Sequence, residues 1–314
     1  MKGINEANRL FDLIGEKLLP DLSTSSISKV AGEKITRTHL KKVSESTGAI
    51  RVITAIDFMK LRVHNFLMFF LVKDKDQKFD MHEKLCRLPF ASRVATISGS
   101  KADFMVHFRT NEYSHVHNVI YPAIAEYKDL LKVEAVYPAF PVYDLLIHYP
   151  EASEPPHEKI SLLDWKILSE IKEDALKTYK EIGKKVGVSE HTVRNRIKKM
   201  HSKGVIKGYI VVRVWDKYPA EQVPVIGLIG LTGKEKGMHN FLNAFMESNA
   251  FNLCMYHTYG KYAYLIEFRI GSMIELQKLI KRLPKKDIRV LDFYTLFDQT
   301  YPNWAESVVK YWKK

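Results

Sequence analysis

Between residues 161 and 215 the apolar positions form three short helical patterns followed by a strand. Leu163, Ile167, Leu168 and Ile171 recur at helical spacing behind Ser161, with Asp164 three residues on, as in a capping box. Thr178 and Glu181 repeat that arrangement and open a second helix carrying Ile182. The stretch Val-Gly-Val-Ser at 186–189 reads as a tight turn, with Ser189 placed to cap a third helix. Along that helix Val193, Ile197 and Met200 share one face at i, i+4 and i+7. Gly204 suits the left-handed position that ends it, and residues 205–215, rich in β-branched side chains, predict a strand. This order predicts a winged helix-turn-helix.

A second type of pattern follows. Residues 223–231 predict a strand, 238–247 a helix, 251–260 and 262–270 a hairpin, 272–283 an amphipathic helix and 288–297 a last strand. The order βαββαβ is ferredoxin-like. The first half has matching candidates: strand 65–72, helix 78–88, hairpin 91–109, helix 112–127 and strand 132–140.

The halves are also related in their helical parts. Residues 35–51 lie over 192–207 with one residue inserted near Thr47, so that Arg37 meets Arg194, Leu40 meets Ile197, and Lys41 and Lys42 meet Lys198 and Lys199. Gly48-Ala49-Ile50 then meets Gly204-Val205-Ile206. Such self-similarity predicts an internal duplication. The expected fold class is α+β: tandem winged helix-turn-helix and ferredoxin-like units forming an internal pseudo-dimer. The expected domains are a divergent winged helix-turn-helix at 1–60, a ferredoxin-like domain at 61–145, a proline-rich linker at 146–158, a second winged helix-turn-helix at 159–216, and a second ferredoxin-like domain with a C-terminal tail at 217–314.

Charge changes the picture. The 314-residue chain carries +13, which favours a polyanionic partner. Residues 1–156 hold 21 Lys and Arg against 19 Asp and Glu, a balance of +2, while 157–314 hold 28 against 17, a balance of +11. Residues 157–215 alone hold 14 against 7, so the field is concentrated on the second helical unit. The only cysteines, Cys86 and Cys254, form no Cys-x-x-Cys pair, which argues against a disulfide framework or a cysteine zinc site. The longest apolar run, 65–72, is far too short to cross a bilayer, and no signal-peptide pattern opens the chain. A cytoplasmic protein without membrane partners is expected.

Half a turn from its apolar face, the third helix presents His191, Asn195, Lys198 and Ser202, flanked by Arg194 and Lys199. Asn can bond bidentately to adenine and Arg or Lys to guanine, while further Lys neutralises phosphate. A merely solvated basic face is the bland alternative, since Lys and Arg are good helix formers. The capped preceding helix, the tight turn and the following strand favour recognition of double-stranded DNA.

Residues 162–209 resemble the DNA-binding unit of the Lrp/AsnC regulators. The resemblance rests on Leu163-Asp164, Ile167-Leu168, Asp174, the run Ser189, Thr192-Val193, Arg196-Ile197, and Gly204-Val205-Ile206. It implies a transcription regulator that is not an enzyme, with a ferredoxin-like domain serving dimerisation and small-molecule sensing. Ser189, His191, Thr192, Arg194, Asn195, Lys198 and Lys199 are the DNA-binding candidates of the second unit. A tandem copy departs from the family's usual single unit per chain.

The first copy is chemically weaker. A helix over 33–46 would have Thr36, Leu40 and Val43 as its core face and Lys34, Thr38, Lys41 and Glu45 outward. Thr38 replaces Asn195, Glu45 replaces Ser202 and repels phosphate, no Ser or Thr sits where Ser189 caps, and 21–34 is poor in helix formers. Lys34, Arg37, Thr38 and Lys41 are its DNA-binding candidates. Two unequal recognition helices on one DNA face would read dissimilar half-sites about one turn (~34 Å) or a multiple of it apart.

Relatives sense amino acids near the turn between the second and third strands, where a Gly and an acid recur. Gly99 and Asp103 stand there in the first copy, and Gly260 and Tyr262 in the second, where no acid is present. These are the effector-binding candidates, for an amino acid or another small molecule. A hairpin glycine needed only for its turn is the structural alternative. Twelve histidines invite a metal reading, but His115 and His117 lack helical ligand spacing, and His64, His82 and His107 are scattered. No catalytic residues, metal or cofactor are expected. Two alternatives stay open: an enzyme like the sirohaem decarboxylases, using His257, Arg93 and His107, or a chromatin-type protein of low sequence preference. A homodimer, internally a pseudo-tetramer, is compatible with all of these.

Overall fold

The computed structural model describes residues 2–15, 17–98, 101–144, 157–172, 174–214, 223–231, 243, 245, 251–258, 264–283 and 288–312. In chain order the first half contains α1 (Lys2–Ile14), α2 (Thr24–Ala31), α3 (Arg37–Thr47), β1 (Ile50–Ile56), β2 (His64–Val72), α4 (Lys78–Cys86), β3 (Ala91–Ser98), β4 (Phe104–Thr110), α5 (Tyr121–Ala125) and β5 (Leu131–Asp144). The second contains α6 (Leu162–Ile171), α7 (Tyr179–Val186), α8 (Glu190–Ser202), β6 (Ile206–Arg213), β7 (Val223–Leu231), β8 (Phe251–Thr258), β9 (Tyr264–Ile270), α9 (Met273–Arg282), β10 (Ile288–Thr300) and α10 (Trp304–Lys310).

These elements form two compact units, one of residues 1–62, 153–219 and 308–314 and the other of 63–152 and 220–307. Like therefore associates with like: each unit takes one helical or one mixed piece from each half. Of the proline-rich linker, residues 146–156 lie outside the described set.

The first unit is built around an antiparallel ribbon. Strand β1 pairs with β6 from Ile50↔Arg213 to Ala55↔Gly208, with an irregularity before Ile56. Both outer edges are covered, so the two-stranded ribbon offers no open template for further strands. On the β1 side, Thr54 N–H donates to the Lys172 carbonyl (3.1 Å) and Ala175 N–H to that of Val52 (2.8 Å). The Thr54 hydroxyl also donates to Ile171 O (2.7 Å), satisfying a carbonyl at the end of α6. On the β6 side, Leu19 and Tyr209 exchange backbone bonds of 2.8 Å. One apolar core joins Ala7, Leu10 and Ile14 of α1, Ile27 of α2, Leu40 and Val43 of α3, Ile50 and Val52, and Ala175, Leu176, Tyr209 and Val211 from the second half.

The second helical set follows the sequence closely. Ser161 with Asp164, and Thr178 with Glu181, form complete capping boxes. Gly187 and Gly204 have φ of +77° and +67°, the left-handed conformation that glycine tolerates without a Cβ penalty. Gly183 has a different purpose. Its carbonyl accepts from Gly187 N–H (2.9 Å) and Val188 N–H (3.0 Å), drawing the turn against α7.

The first helical set departs from the sequence reading in three ways. Residues 24–31 do form a helix, despite weak propensities. Ser23 caps its start by accepting from Ser26 N–H, Gly32 (φ +75°) ends it, and Ile27 is buried. Helix α3 begins at Arg37 rather than 33, so Lys34 lies ahead of it. Thr36 is not a core residue: it is the N-cap and accepts from His39 N–H at 3.0 Å. A threonine thus caps this helix after all.

In the second unit the strands follow the order β10-β3-β4-β2-β5-β8-β9-β7, and β7 pairs with β10 to close a barrel. Each half contributes four consecutive strands in the ferredoxin-like order, here β3-β4-β2-β5 and β8-β9-β7-β10. The two halves join where β5 pairs with β8 and β10 with β3. Leu67, Phe69, Ala95, Ile97, Met105, Ile226, Leu228, Leu265, Tyr294 and Leu296 form a core with members from both halves. The apolar run at 65–72 is therefore a barrel strand, with Phe66 through Phe70 buried. Of the helix expected at 238–247, only Asn243 and Phe245 are described. The helix expected at 112–127 is a π-helical turn at Val116–Ile120 running into α5. The expected C-terminal tail forms α10, with Trp304, Ala305 and Val308 buried.

A Cβ on Gly183 would lie 2.6 Å from the Val188 carbonyl oxygen. Gly183→Ala is expected to destabilise the protein by about 1–3 kcal/mol, as overpacked sites do. Calorimetric melting checks this, and an unchanged Tm would disprove the close approach.

Candidate nucleic-acid interface

Helix α8 is oriented by its ends and by one buried stripe. Ser189 accepts from Thr192 N–H at 3.1 Å, and the two hydroxyls lie 2.9 Å apart. Val193, Ile197 and Met200 are buried on the inner face. At the far end the Lys60 ammonium donates to the Lys203 carbonyl at 3.0 Å, a cation placed against the negative end of the helix dipole. Lys203 is in turn hydrogen-bonded to Glu158, whose carboxyl this contact holds below the usual range. Lys60 and Glu158 could not be found by periodicity, because Lys60 comes from the first half and Glu158 lies just ahead of the helical pattern.

The opposite face is exposed. His191, Arg194, Asn195, Lys198, Lys199 and Ser202 all lie at the surface of one helix. The Asn195 amide nitrogen is 3.3 Å from His191 Nδ1, one turn earlier, so the imidazole steadies the amide. Arg194 is 3.6 Å from Glu190 and stands over the Tyr179 ring at 5.8 Å. Arg196 faces away from this group, 3.5 Å from the buried Asp164 that completes the Ser161 capping box. It ties α8 to α6. The arrangement is a convex cationic helix with an amide at its centre, able to enter a groove about 12 Å wide.

The first unit's candidates are placed differently. Lys34 and Thr38 are exposed. Lys41 lies 3.7 Å from Glu45 and 3.9 Å from Glu181 of α7. Arg37 turns to the second half, where its Nη2 donates to the carbonyls of Ala175 (3.2 Å) and Lys177 (2.9 Å).

Of the effector candidates, Gly99, Gly260 and Tyr262 lie outside the described residues. Asp103 accepts from Val72 N–H (3.0 Å) and from the Lys78 ammonium (2.7 Å). Three of the histidines make hydrogen bonds within the second unit. His107 bonds Asn65 (3.2 Å), His115 bonds Thr110 (2.7 Å) and stacks on Phe90, and His82 bridges Thr96 and Thr300 (3.1 and 3.0 Å). Among the described residues no three His, Cys, Asp or Glu could hold a metal ion. Arg93 bonds Glu267 across the halves and donates to Gln299 at 2.7 and 3.1 Å. The side chain of His257 is outside the description. Among the described residues no helix is long and apolar enough to cross a membrane.

The model of the AsnC-type helix-turn-helix domain matches residues 161–201. An HTH-type transcriptional regulator of Pyrococcus furiosus is 30% identical over 129 residues, 41% of this chain and 84% of that protein. Another from Methanocaldococcus jannaschii is 34% identical over 124 residues, 40% of this chain and 79% of that protein. Each of these relatives thus corresponds to less than half of the present chain. Over nearly its whole length the chain is similar in fold to the sirohaem decarboxylase NirDL, solved with an iron-uroporphyrin III analogue, at a TM-score of 0.62 and 12% identity, covering 98% of this chain and 97% of that one.

One titration follows from the end of α8. His201 Nε2 is 3.0 Å from the Tyr209 hydroxyl, and burial holds the imidazole below its ordinary value of 6.5, opposed by the nearby Asp21. Burial also pushes the Tyr209 hydroxyl up, keeping it a donor. Folding therefore favours neutral His201; the stability this gives is present above pH 6.5 and is lost as pH falls through the depressed folded value. The melting-temperature difference between the wild type and His201→Gln should narrow on acidification from about pH 7.5 to about pH 5. A constant difference across that range would remove His201 from the coupling.

Proposed function

From the premise that the chain belongs to the Lrp/AsnC family of DNA-binding transcription regulators, we propose that it recognises its sites by seating α8 in a major groove. The observation that carries this is the exposed face of that helix, with Asn195 held by His191 and flanked by Arg194, Lys198 and Lys199. In this reading Asn195 and Arg194 meet base edges, while Lys198, Lys199, Ser189 and Thr192 contact phosphates near the groove wall. Lys34 of the first unit adds a phosphate contact of no sequence preference. The protein acts without an enzymatic step, in the cytoplasm. A small-molecule effector would work through the barrel unit, and an ammonium group at Asp103 would have to displace Lys78. Two chains would associate to cover a complete operator.

The full-length likeness to NirDL motivates a second reading, decarboxylation of sirohaem. Two of the side chains it would use are already engaged: Arg93 with Glu267 and Gln299, and His107 with Asn65. Titration with sirohaem, followed by visible absorption, separates the readings. A saturable spectral change at stoichiometric protein would favour the enzyme.

Asn195→Ala is expected to cost about 1–3 kcal/mol on the selected site and to relax preference at one base position. Lys198→Ala and Lys199→Ala should weaken all sequences alike, each lowering the salt slope by about 1. Fluorescence anisotropy on specific and random duplexes at several salt concentrations measures both effects. Equal losses on the two duplexes for Asn195→Ala would end the base-reading role.

A further inference from the structure

The two recognition helices of the sequence pattern are not equivalent in the fold. Aligned on their buried residues, Leu40 and Val43 of α3 correspond to Ile197 and Met200 of α8. Thr36 then stands at the level of Val193, and there it is already the N-cap. Helix α3 is therefore one turn shorter at its N-terminus, the end from which a recognition helix meets base edges. Nothing on α3 corresponds to His191 or Thr192.

The start of α3 is also occupied. The Arg37 guanidinium donates to the carbonyls of Ala175 and Lys177, immediately before Thr178, the residue that caps α7. The same segment is held from the other side by Ala175 N–H on Val52 O (2.8 Å), with Ala175 and Leu176 buried in the core that holds Leu40 and Val43. Lys41 is 3.9 Å from Glu181, the second member of the α7 capping box. The exposed residues Thr38, Lys42, Glu45 and Ser46 line an open groove together with Leu176 and Thr178.

We propose that α3 is a brace and not a second recognition helix, and that Arg37 is a positioning residue that fixes the start of α7 and through it the angle of α8. Each chain then carries a single base-reading helix, and a two-part operator requires two chains. This rests on the assignment of α8 as the base-reading helix. Arginine suits the role because the two N–H bonds of Nη2 are fixed in the guanidinium plane and reach both carbonyls, whereas the lysine ammonium is a freely rotating point charge on a flexible stem.

Three measurements on the full chain test it. Amide hydrogen exchange over residues 178–189 of the DNA-free protein should be faster in Arg37→Ala than in wild type, and unaffected in Thr38→Ala. Selection of bound duplexes from a random pool should yield one half-motif per chain, unchanged in Thr38→Ala. On that motif Arg37→Ala should bind about tenfold more weakly, as expected for loss of a hydrogen-bonded charged group, with an unchanged salt slope. Arg37→Lys should recover only part of the loss. Unchanged exchange in Arg37→Ala overturns the brace. A salt slope lowered by about 1 in Arg37→Ala marks a phosphate contact and overturns the positioning role. A second, dissimilar half-motif altered by Thr38→Ala overturns the single-helix assignment. If no motif is selected, the base-reading assignment of α8 fails, while the exchange experiment still decides the brace.

Discussion

The pairing of β1 with β6 is the contact on which the DNA-binding unit depends. It joins residues about 160 apart in sequence, so it closes a long loop and carries an entropy cost that local helix contacts do not. The ribbon offsets that cost by placing each half's connecting segment on the other half's strand. Residues 172–175 bond along β1, and Leu19 bonds along β6. Its apolar side chains enter a core drawing on both halves. Neither winged helix is therefore an independent module. The orientation of α8 is set by its own buried stripe together with contacts from the first half, namely Lys60 at one end and the Arg37-held segment before α7.

The barrel applies the same logic to the mixed units. Two four-stranded sheets each leave two edges, and an exposed edge is a template for unwanted pairing. Joining β5 to β8 and β10 to β3 removes all four. The Arg93–Glu267 pair spans the halves inside this closure, with Gln299 as a further acceptor for the guanidinium. A largely buried pair of this kind is weak evidence for stability, but removing one partner alone would leave the other charge poorly compensated. The duplication thus performs within one chain the association that separate ferredoxin-like domains need a second chain to make.

Legibility followed the range of the interactions. Capping boxes, left-handed glycines and helical stripes are encoded within a few residues, and these were readable at Ser161, Thr178, Ser189 and Gly204. The strands of both mixed units were readable because each has its own apolar run. The start of α3 was not. The sequence offers Arg37, Lys41 and Lys42 in the register of α8, and similarity of type suggested similarity of extent. What shortened the helix is Thr36 taking the cap, which no alignment of basic residues reveals. Helix α2 was obscured for a related reason: its serines are poor interior residues, yet Ser23 and Gly32 define its two ends. The engagement of Arg37 with Ala175 and Lys177 is a contact across 138 and 140 residues, beyond the reach of any local pattern.

Charge points to the same asymmetry from a different direction. If both helical units read bases, each would need an electropositive outer face, since phosphate attraction is what brings a recognition helix to its groove. The first half is close to neutral and the second holds most of the excess. In α3 the cations are partly matched locally, Lys41 by Glu45 and Glu181, and Arg37 by backbone carbonyls. In α8, Lys198 and Lys199 extend outward on the exposed face. If α3 is a brace, its surface chemistry serves contacts that hold its neighbour, which agrees with the pairing of Lys41 and the carbonyl contacts of Arg37.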